Sequence, residues 1–470
     1  MIFALGVWGV GMHDGRGDPG ATASRWKLTV QFLAAPLRGR QSTRLLVGNF
    51  LWMVLDKFVR MGLGLWVGIW LTRYLGPEEF GLYNYASAIV MFFGVLAAFG
   101  LNGVVVKDLA GTEFDKHETL GSVALLKFGT GLVALALAAV TVICMRPEAG
   151  LVQWLVIIGA ASFSFQALDA IDLWFQSQQK SQYSVYTKTA AYIVVSLSKA
   201  GLILAQAPLV AFVWAGLAEA ALAALALVVV YQACGERLQA WRVNLHRMTG
   251  LLRTCWPLFL SGLSGILFAK LDVLLLADMR DAREVGIYAA ATRLSELWYF
   301  IPMTVVAAVQ PRLVNLKLQN ESAYQARLRD LYAMMSGVSL SVAVGTTIFS
   351  GFIVHAAYGH AYEESIPVLA IHIWAGIAVF LGVASSPYLV IEGYHKIYMY
   401  KNLAGLISNV PLNLWLIPPY GAQGAAMATV ISYFISTFTL FCFPQTKGQA
   451  QSLLMSINPF YFFFRRKPIR

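Results

Sequence analysis

Seven basic residues, Lys57, Arg60, Lys127, Lys188, Lys199, Lys270 and Arg293, stand inside otherwise apolar stretches of sequence. If such a stretch crosses a bilayer, each charge costs roughly 2.5–3.5 kcal/mol on insertion scales, so it implies a partner or a watery cavity. Ammonium and guanidinium groups donate several charge-assisted hydrogen bonds, the chemistry needed to hold phosphate or carboxylate oxygens. Lys188 and Lys199 are eleven residues apart, about three helical turns and about 16 Å, with Ser181, Ser184 and Tyr192 on the same stripe. No acid lies in that segment, so the stripe predicts the wall of an anion pathway. The alternative is pairing with Asp169, Asp172 or Glu219 on neighbouring helices.

The other polar residues in apolar sequence offer different chemistry. Asp56 and Arg60 are four apart and Arg293 and Glu296 three apart, so each pair shares a helix face and can form an internal ion pair. Asp56, Glu219 and Asp272 are candidates for coupling to a transported cation or for counter-ion roles, because a carboxylate buried at such depth readily takes up a proton or a cation. Lys270 and Asp272, two apart, must face different partners. Asn402, Asn409 and Asn413 fall within an arc of about 40° on a helix. Together with Tyr192 they are candidate sugar contacts, and helix-to-helix glue is the alternative use of the amides. No metal set is indicated. The four cysteines lie far apart without a C-x-x-C pair, and His355, His360 and His372 flank only the short segment 356–366. Gly62, Gly64 and Gly68 sit in an apolar helix and read as packing positions.

Helices in a membrane must position these groups. Of 470 residues 58% are hydrophobic and 13% charged, with a mean hydropathy of +0.64. A soluble chain would carry about a quarter charged residues. The fold class is therefore all-α integral membrane. Spans of about 20 apolar residues fit a hydrocarbon core of about 30 Å, and twelve are expected: 45–72, 80–102, 119–145, 150–172, 183–205, 208–232, 251–278, 285–311, 331–355, 366–391, 398–418 and 421–443. Of the 35 basic residues, 24 lie on the segments that share a side with the N-terminus and 4 on the opposite loops, which predicts both termini in the cytoplasm. That distribution absorbs most of the +11 net charge, and no nucleic-acid partner is needed.

The expected organisation is an N-terminal extension over 1–43, a first lobe over 44–232, an inter-lobe loop over 233–250, a second lobe over 251–443 and a basic, aromatic tail over 444–470. Nothing before Arg25 carries a folding signal, consistent with an over-extended start as much as with a functional tail. An internal repeat joins the lobes: Glu79-Phe80-Gly81-Leu82-Tyr83 matches Glu284-Val285-Gly286-Ile287-Tyr288 at a constant offset. Two six-helix units in the same orientation imply a pseudo-two-fold axis along the membrane normal. Interior prolines, Pro257, Pro302, Pro387 and Pro411, fall only in the second unit and predict that bending occurs there.

From Arg73 to Ala86, Arg-Tyr-Leu-Gly-Pro-Glu-Glu-Phe-Gly-Leu-Tyr-Asn-Tyr-Ala, the chain closely resembles the Wzx-type polysaccharide transporters, the O-antigen and capsule repeat-unit flippases. Their superfamily also holds the MATE drug antiporters and the lipid II flippases. Gly421-Ala422-Gln423-Gly424-Ala425-Ala426 resembles a second pattern of that family, and the likeness covers about residues 44–445. The resemblance implies a V-shaped pair of lobes working by alternating access on an undecaprenyl-pyrophosphate-linked oligosaccharide. It implies no enzyme activity and no cofactor, with coupling to H+, Na+ or the membrane potential. Implied partners are the lipid-linked substrate, the bilayer, and polysaccharide polymerase and chain-length regulator proteins. A MATE-like antiporter of cationic drugs would favour acids in its lumen, and a polymerase or ligase would need a large outer loop bearing catalytic Arg and His.

Overall fold

The computed structural model describes the backbone of residues 40–111 and 114–457 and the side chains of residues 60–111 and 114–457. Lys57 and Asp56, and with Asp56 its expected pair with Arg60, lie outside the described side chains. All regular structure among the described residues is helical. The first half contains α1 (Arg40–Ala98), α2 (Leu101–Ala110), α3 (Lys116–Met145), α4 (Gly150–Ala161), α5 (Asp169–Ser177), α6 (Ser181–Leu204) and α7 (Leu209–Ala233). The second half contains α8 (Leu245–Met279), α9 (Ala282–Glu296), α10 (Phe300–Gln319), α11 (Glu321–Ile348), α12 (Ser350–Tyr358), α13 (Ser365–His372), α14 (Ala375–Ala384), α15 (Ser386–Ile391), α16 (His395–Phe438) and α17 (Lys447–Ser456). Helix starts carry the short polar side chains that accept orphan N–H groups. Asp115 accepts from Glu118, Asp281 from Glu284 and Asn320 from Ala323 at 2.8–3.0 Å.

Among the described residues ten helical stretches are long and apolar enough to cross a bilayer, against twelve expected spans. The difference arises at two glycines where the helical backbone is broken without an intervening loop. Gly76 (φ 69°, ψ 173°) breaks α1, and Gly421 (φ 56°, ψ −131°) breaks α16. The two stretches, 51 and 48 residues, would measure about 77 and 72 Å if straight, more than twice a hydrocarbon core. In α16 the chain visibly doubles back. A methyl on Gly424 would stand 2.0 Å from the Leu416 carbonyl oxygen, whereas eight residues of straight helix span about 12 Å. The Gly-x-x-Gly-Ala-Ala pattern thus makes a tight turn whose limbs touch, with Ala425 and Ala426 buried behind it. Glu284 accepts the Ala422 N–H at 2.8 Å and so caps the second limb.

Large apolar side chains such as Trp154, Leu204, Phe352 and Trp415 stay exposed, as a lipid-facing surface requires. Inside, one core belongs to the second half alone and includes Leu313, Tyr332 and Phe380. A second core is shared at the Gly76 end of the bundle, joining Leu71, Leu75 and Phe80 to Val285, Ala290 and Tyr362. At the opposite end the start of α8 joins the first half: Leu251, Cys255 and Phe259 pack with Leu101, Val105 and Leu120, and the Phe99 and Phe259 rings stack at 4.9 Å. The linker before α8 is tied down as well. Arg242 N donates to His117 O at 3.1 Å, Asn244 donates to Glu118 at 2.5 Å, and Arg247 pairs with Asp108. The expected lobe boundary at residue 251 therefore runs through α8 itself. Of the expected tail, α17 is a packed helix with Gln449, Ala450 and Leu453 buried.

Bending is not confined to the second half. The expected 366–391 span divides into α13, α14 and α15, with Pro387 in the first turn of α15, and the 3-10 turn over Leu297–Tyr299 lies one turn before Pro302, but the 3-10 turn over Ser162–Leu168 in the first half has no proline.

The repeated motif is where the halves meet. A methyl on Gly81 would lie 1.7 Å from Ala282 O and 2.9 Å from Gly286 N, and one on Gly286 would lie 1.8 Å from Pro77 O and 3.1 Å from Gly81 N. The contact is reciprocal: Gly81 meets Ala282 as its counterpart Gly286 meets Pro77. This geometry expresses the pseudo-two-fold relation. Gly81→Ala or Gly286→Ala should each destabilise the fold by about 1–3 kcal/mol through overpacking, read as a lower thermal midpoint in detergent. Gly62→Ala, whose added methyl meets nothing within 4 Å, should leave the midpoint unchanged. Equal midpoints for all three would contradict the close crossing.

Candidate functional site

Among the described residues three polar groups carry buried or inter-half charge networks. The first lies in the first half, where Lys188 of α6 is held between two acids of α5, Asp169 at 3.1 Å and Asp172 at 2.6 Å. Gln176 donates to Asp172 at 3.1 Å. Lys127 of α3, only 2% exposed, donates to Asn102 Oδ1 at 3.0 Å and lies within electrostatic reach of Lys188 and both acids. Two bases and two acids cancel formally. Lys199 is also paired, with Glu219 of α7 at 3.7 Å. These contacts correct the expectation of an acid-free cationic ladder along α6. The acids were present on adjacent helices, and burial in a low-dielectric bundle draws opposite charges together. Glu219 is accordingly a counter-ion to Lys199.

The second group bridges the halves. Arg60 donates to Thr189 Oγ1 at 3.3 Å, its guanidinium lies 5.4 Å from the Tyr192 ring centroid, and Tyr192 donates to the Arg60 carbonyl at 3.2 Å. From the other half, Arg293 of α9 donates to Gly64 O at 3.1 Å. Its guanidinium fills the notch left by Gly68, where a methyl would stand 1.8 Å from Nη2. Gly64 likewise leaves room for the Tyr192 hydroxyl, 2.5 Å from where a methyl would be. Two of the three packing glycines thus clear space for polar groups, and Gly62 clears space for none. Tyr192 is within electrostatic reach of Arg60, Arg293 and Glu219. Among the described residues Arg293 has no ion pair, so the expected bond to Glu296 does not form. Glu296 is exposed and its charge neighbour is Lys270. By helix rise, Gly64 and Arg293 both lie about 16–18 Å from the Gly76 end.

The third group is buried in the second half. Asp272, 4% exposed, accepts from Asn413 at 2.6 Å, Thr429 at 2.6 Å and Tyr288 at 2.9 Å. No base lies within ion-pair distance of it among the described residues. Asn409 borders the same carboxylate. Both side-chain amide atoms of Asn409, and Oδ1 of Asn413, are buried without a hydrogen bond. Asn409 and Asn413 are 0% exposed, so in this conformation they surround Asp272 and face no sugar. Asn402, half-buried, lies beside Tyr398. Lys270 and Asp272 do face different partners, as their spacing predicts.

Two groups escaped sequence reasoning. Lys401, counted there with the loop bases, is 5% exposed and donates to Gly382 O at 2.9 Å. Its position near a helix start disguised its burial, which Gly382 permits by offering no side chain. Thr429 looked like a neutral helix residue, and only the doubling back of α16 brings it to Asp272. His372 is separate from the other histidines, buried with Nδ1 3.0 Å from Ser295 Oγ.

Comparison with known proteins places this geometry. Residues 46–317 match the family described as "Polysaccharide biosynthesis protein". A protein of Shigella flexneri named "Putative O-antigen transporter" is 22% identical over 390 residues, covering 79% of this chain and 90% of that protein. The "EPS I polysaccharide export inner membrane protein EpsE" of Ralstonia nicotianae is 24% identical over 336 residues, covering 67% of this chain and 75% of that protein. Among solved structures, the lipid II flippase MurJ in an inward closed conformation superimposes with a TM-score of 0.66 at 16% identity, over 90% of this chain and 94% of that one. An inward-facing multidrug resistance MATE transporter gives 0.63 at 14% identity, over 86% and 99%. These likenesses give the fold. With the family match over more than half of the sequence, the chain belongs to the polysaccharide biosynthesis protein family, as a multi-pass membrane protein.

Proposed function

We propose that the chain carries an undecaprenyl-pyrophosphate-linked oligosaccharide from the cytoplasmic to the outer leaflet of a bacterial inner membrane, with both termini in the cytoplasm and the Gly76 end outside. The relatives named for O-antigen transport and polysaccharide export support the cargo class. The observation that carries the reading is the inter-half cluster of Arg293, Arg60 and Tyr192, in which Arg293 of one half is seated in the Gly68 notch of the other. Two guanidinium groups, one from each half, reach Tyr192 there. Guanidinium groups suit phosphate oxygens by geometry and charge, and the Tyr192 ring offers a face for a sugar. The polyprenyl tail can trail in lipid while the pyrophosphate crosses between the halves. Outward movement of each negative charge is downhill by about 2.3 kcal/mol per 100 mV in an inside-negative membrane. Released lipid-linked units would pass to polymerase and chain-length regulator proteins.

The same reading makes the Asp272 group the coupling site. A carboxylate, two amide oxygens and a hydroxyl, buried with orphaned amide atoms and no base beside them, offer hard oxygen ligands to a small cation such as Na+. Neutralising Asp272 would relieve the cost of burying it unpaired. The site lies about 10 Å from the Gly76 end along α8. A cation bound there is therefore placed to bias the opening of that end.

Three experiments test these assignments. Arg293→Gln should lower export in a null strain at least roughly tenfold, the loss of one charge-assisted bond, while membrane insertion is retained. Full export by that variant would defeat the anion role. Lys188→Gln should lower the thermal midpoint by leaving Asp169 and Asp172 against Lys127 alone, and adding Asp172→Asn, which leaves Lys127 balanced by Asp169, should recover both midpoint and export. Failure of the double variant to export despite a recovered midpoint would return Lys188 to the cargo path. Finally, NaCl but not choline chloride should raise the midpoint of the purified protein, and Asp272→Asn should remove that response. An equal response in both proteins would rule out cation binding at Asp272.

A further inference from the structure

The last turn of α12 and the loop joining it to α13 at the Gly76 end carry a His-x4-His-x2-Glu pattern, His355, His360 and Glu363. Sequence reading gave these histidines no role. In the fold one ligand atom from each residue lies within 4.8 Å of the others. The His355 and His360 rings are 4.5 Å apart, and His355 Nε2 is buried without a hydrogen-bond partner. An imidazole nitrogen left unpaired in protein is unfavourable, and a coordinated ion would offset that cost. Two imidazoles and a carboxylate form a zinc-type donor set, with remaining positions open to water. Drawing the ligands in to the roughly 3.3 Å separations of a tetrahedral shell with about 2.0 Å bonds asks little of His360 and Glu363, which are exposed.

The same loop is wedged over the crossing of the halves. Tyr362, between the ligands His360 and Glu363, is fully buried, donates to Thr72 O of α1 at 2.8 Å and sits edge-on to Phe80 at 6.4 Å. On the other side Tyr358 donates to Ala290 O at 3.3 Å and Ser365 to Ile287 O at 2.9 Å, both on α9. The loop therefore contacts both glycine-crossed helices at once. A bound ion would fix the C-terminal turn of α12 to the segment that inserts Tyr362, and would hold that side chain in the first half.

We propose that His355, His360 and Glu363 bind a divalent transition metal ion, zinc by donor type, and that the bound ion locks the Gly76 end closed. The metal site does not depend on the transported cargo. The lock rests on the alternating-access reading given above. The protein, purified in detergent and stripped with chelator, is titrated with Zn2+ by calorimetry and with Co2+ by visible absorption. One equivalent should bind, with d–d bands of a nitrogen- and oxygen-ligated low-coordinate ion, and affinity should fall at least tenfold in H360A and in E363Q, whose exposed positions leave folding intact. No binding by the wild type, or equal binding by both variants, overturns the site. For the lock, spin labels at the Gly76 ends of α1 and α9 report separation of the halves. Zn2+ should deplete the separated population in the wild type and not in H360A. Binding without any change in that population overturns the lock and leaves the cargo assignment untouched.

Discussion

The fold hinges on one backbone contact, the crossing of Gly81 and Gly286. Two helices approach there so closely that each glycine sits against the carbonyl of the other's neighbour two pairs back, Ala282 and Pro77. Between apolar helices in lipid no hydrophobic force draws surfaces together, and the gain comes from close van der Waals contact and weak backbone interactions that small residues allow. The shared core of Leu71, Leu75 and Phe80 with Val285 and Tyr362 gathers around this crossing. It sets the depth at which Arg293 reaches the Gly68 notch, and it fixes the end of α8 that carries Asp272. Loss of the crossing would disperse the inter-half site along with the seal.

The polar interior follows a division of labour set by electrostatics. In the first half, Lys127 and Lys188 with Asp169 and Asp172 form a balanced set, and such groups hold helices in register while offering little net charge to a passenger. At the junction, Arg60 and Arg293 reach Tyr192 from the two halves. In the second half, Asp272 is buried with no base in ion-pair distance among the described residues and is held by neutral donors. Helix α9 serves both groups, Arg293 in the first and Tyr288 in the second.

Hydropathy and glycine–proline punctuation exposed much of the fold: the all-helical membrane class, the break at Gly76 and the repeat that proves to be the inter-half contact. Those features are local, and length and apolar run report them directly. Partner choice was less legible. Lys188 looked unpaired because α6 contains no acid, and only the packing of α5 beside it supplies two. The Asp272 group was seen as an acid and a line of amides, but Thr429 and Tyr288 join it through the folding back of α16 and the placement of α9. Such joins pair side chains of different helices, 16 to 19 residues apart for Lys188 and Tyr288 and 141 and 157 for Asn413 and Thr429, which no periodicity encodes. The merging of spans at Gly76 and Gly421 likewise reflects turns too tight to leave any coil.

Helix α8 belongs to two cores. Its first turns are moored to the first half by Arg247 on Asp108 and by Phe259 on Phe99, while Asp272, 25 residues beyond Arg247, is bonded to α16. The two moorings are about 38 Å apart on a single rod. A rod clamped by different bodies at its two tips cannot follow both when they swing apart. It must flex between them, over the turns from Phe259 to Asp272, because Pro257 lies within the first mooring between Arg247 and Phe259. The molecule thus contains a built-in leaf spring, with the Asp272 hydrogen bonds gripping one end of it.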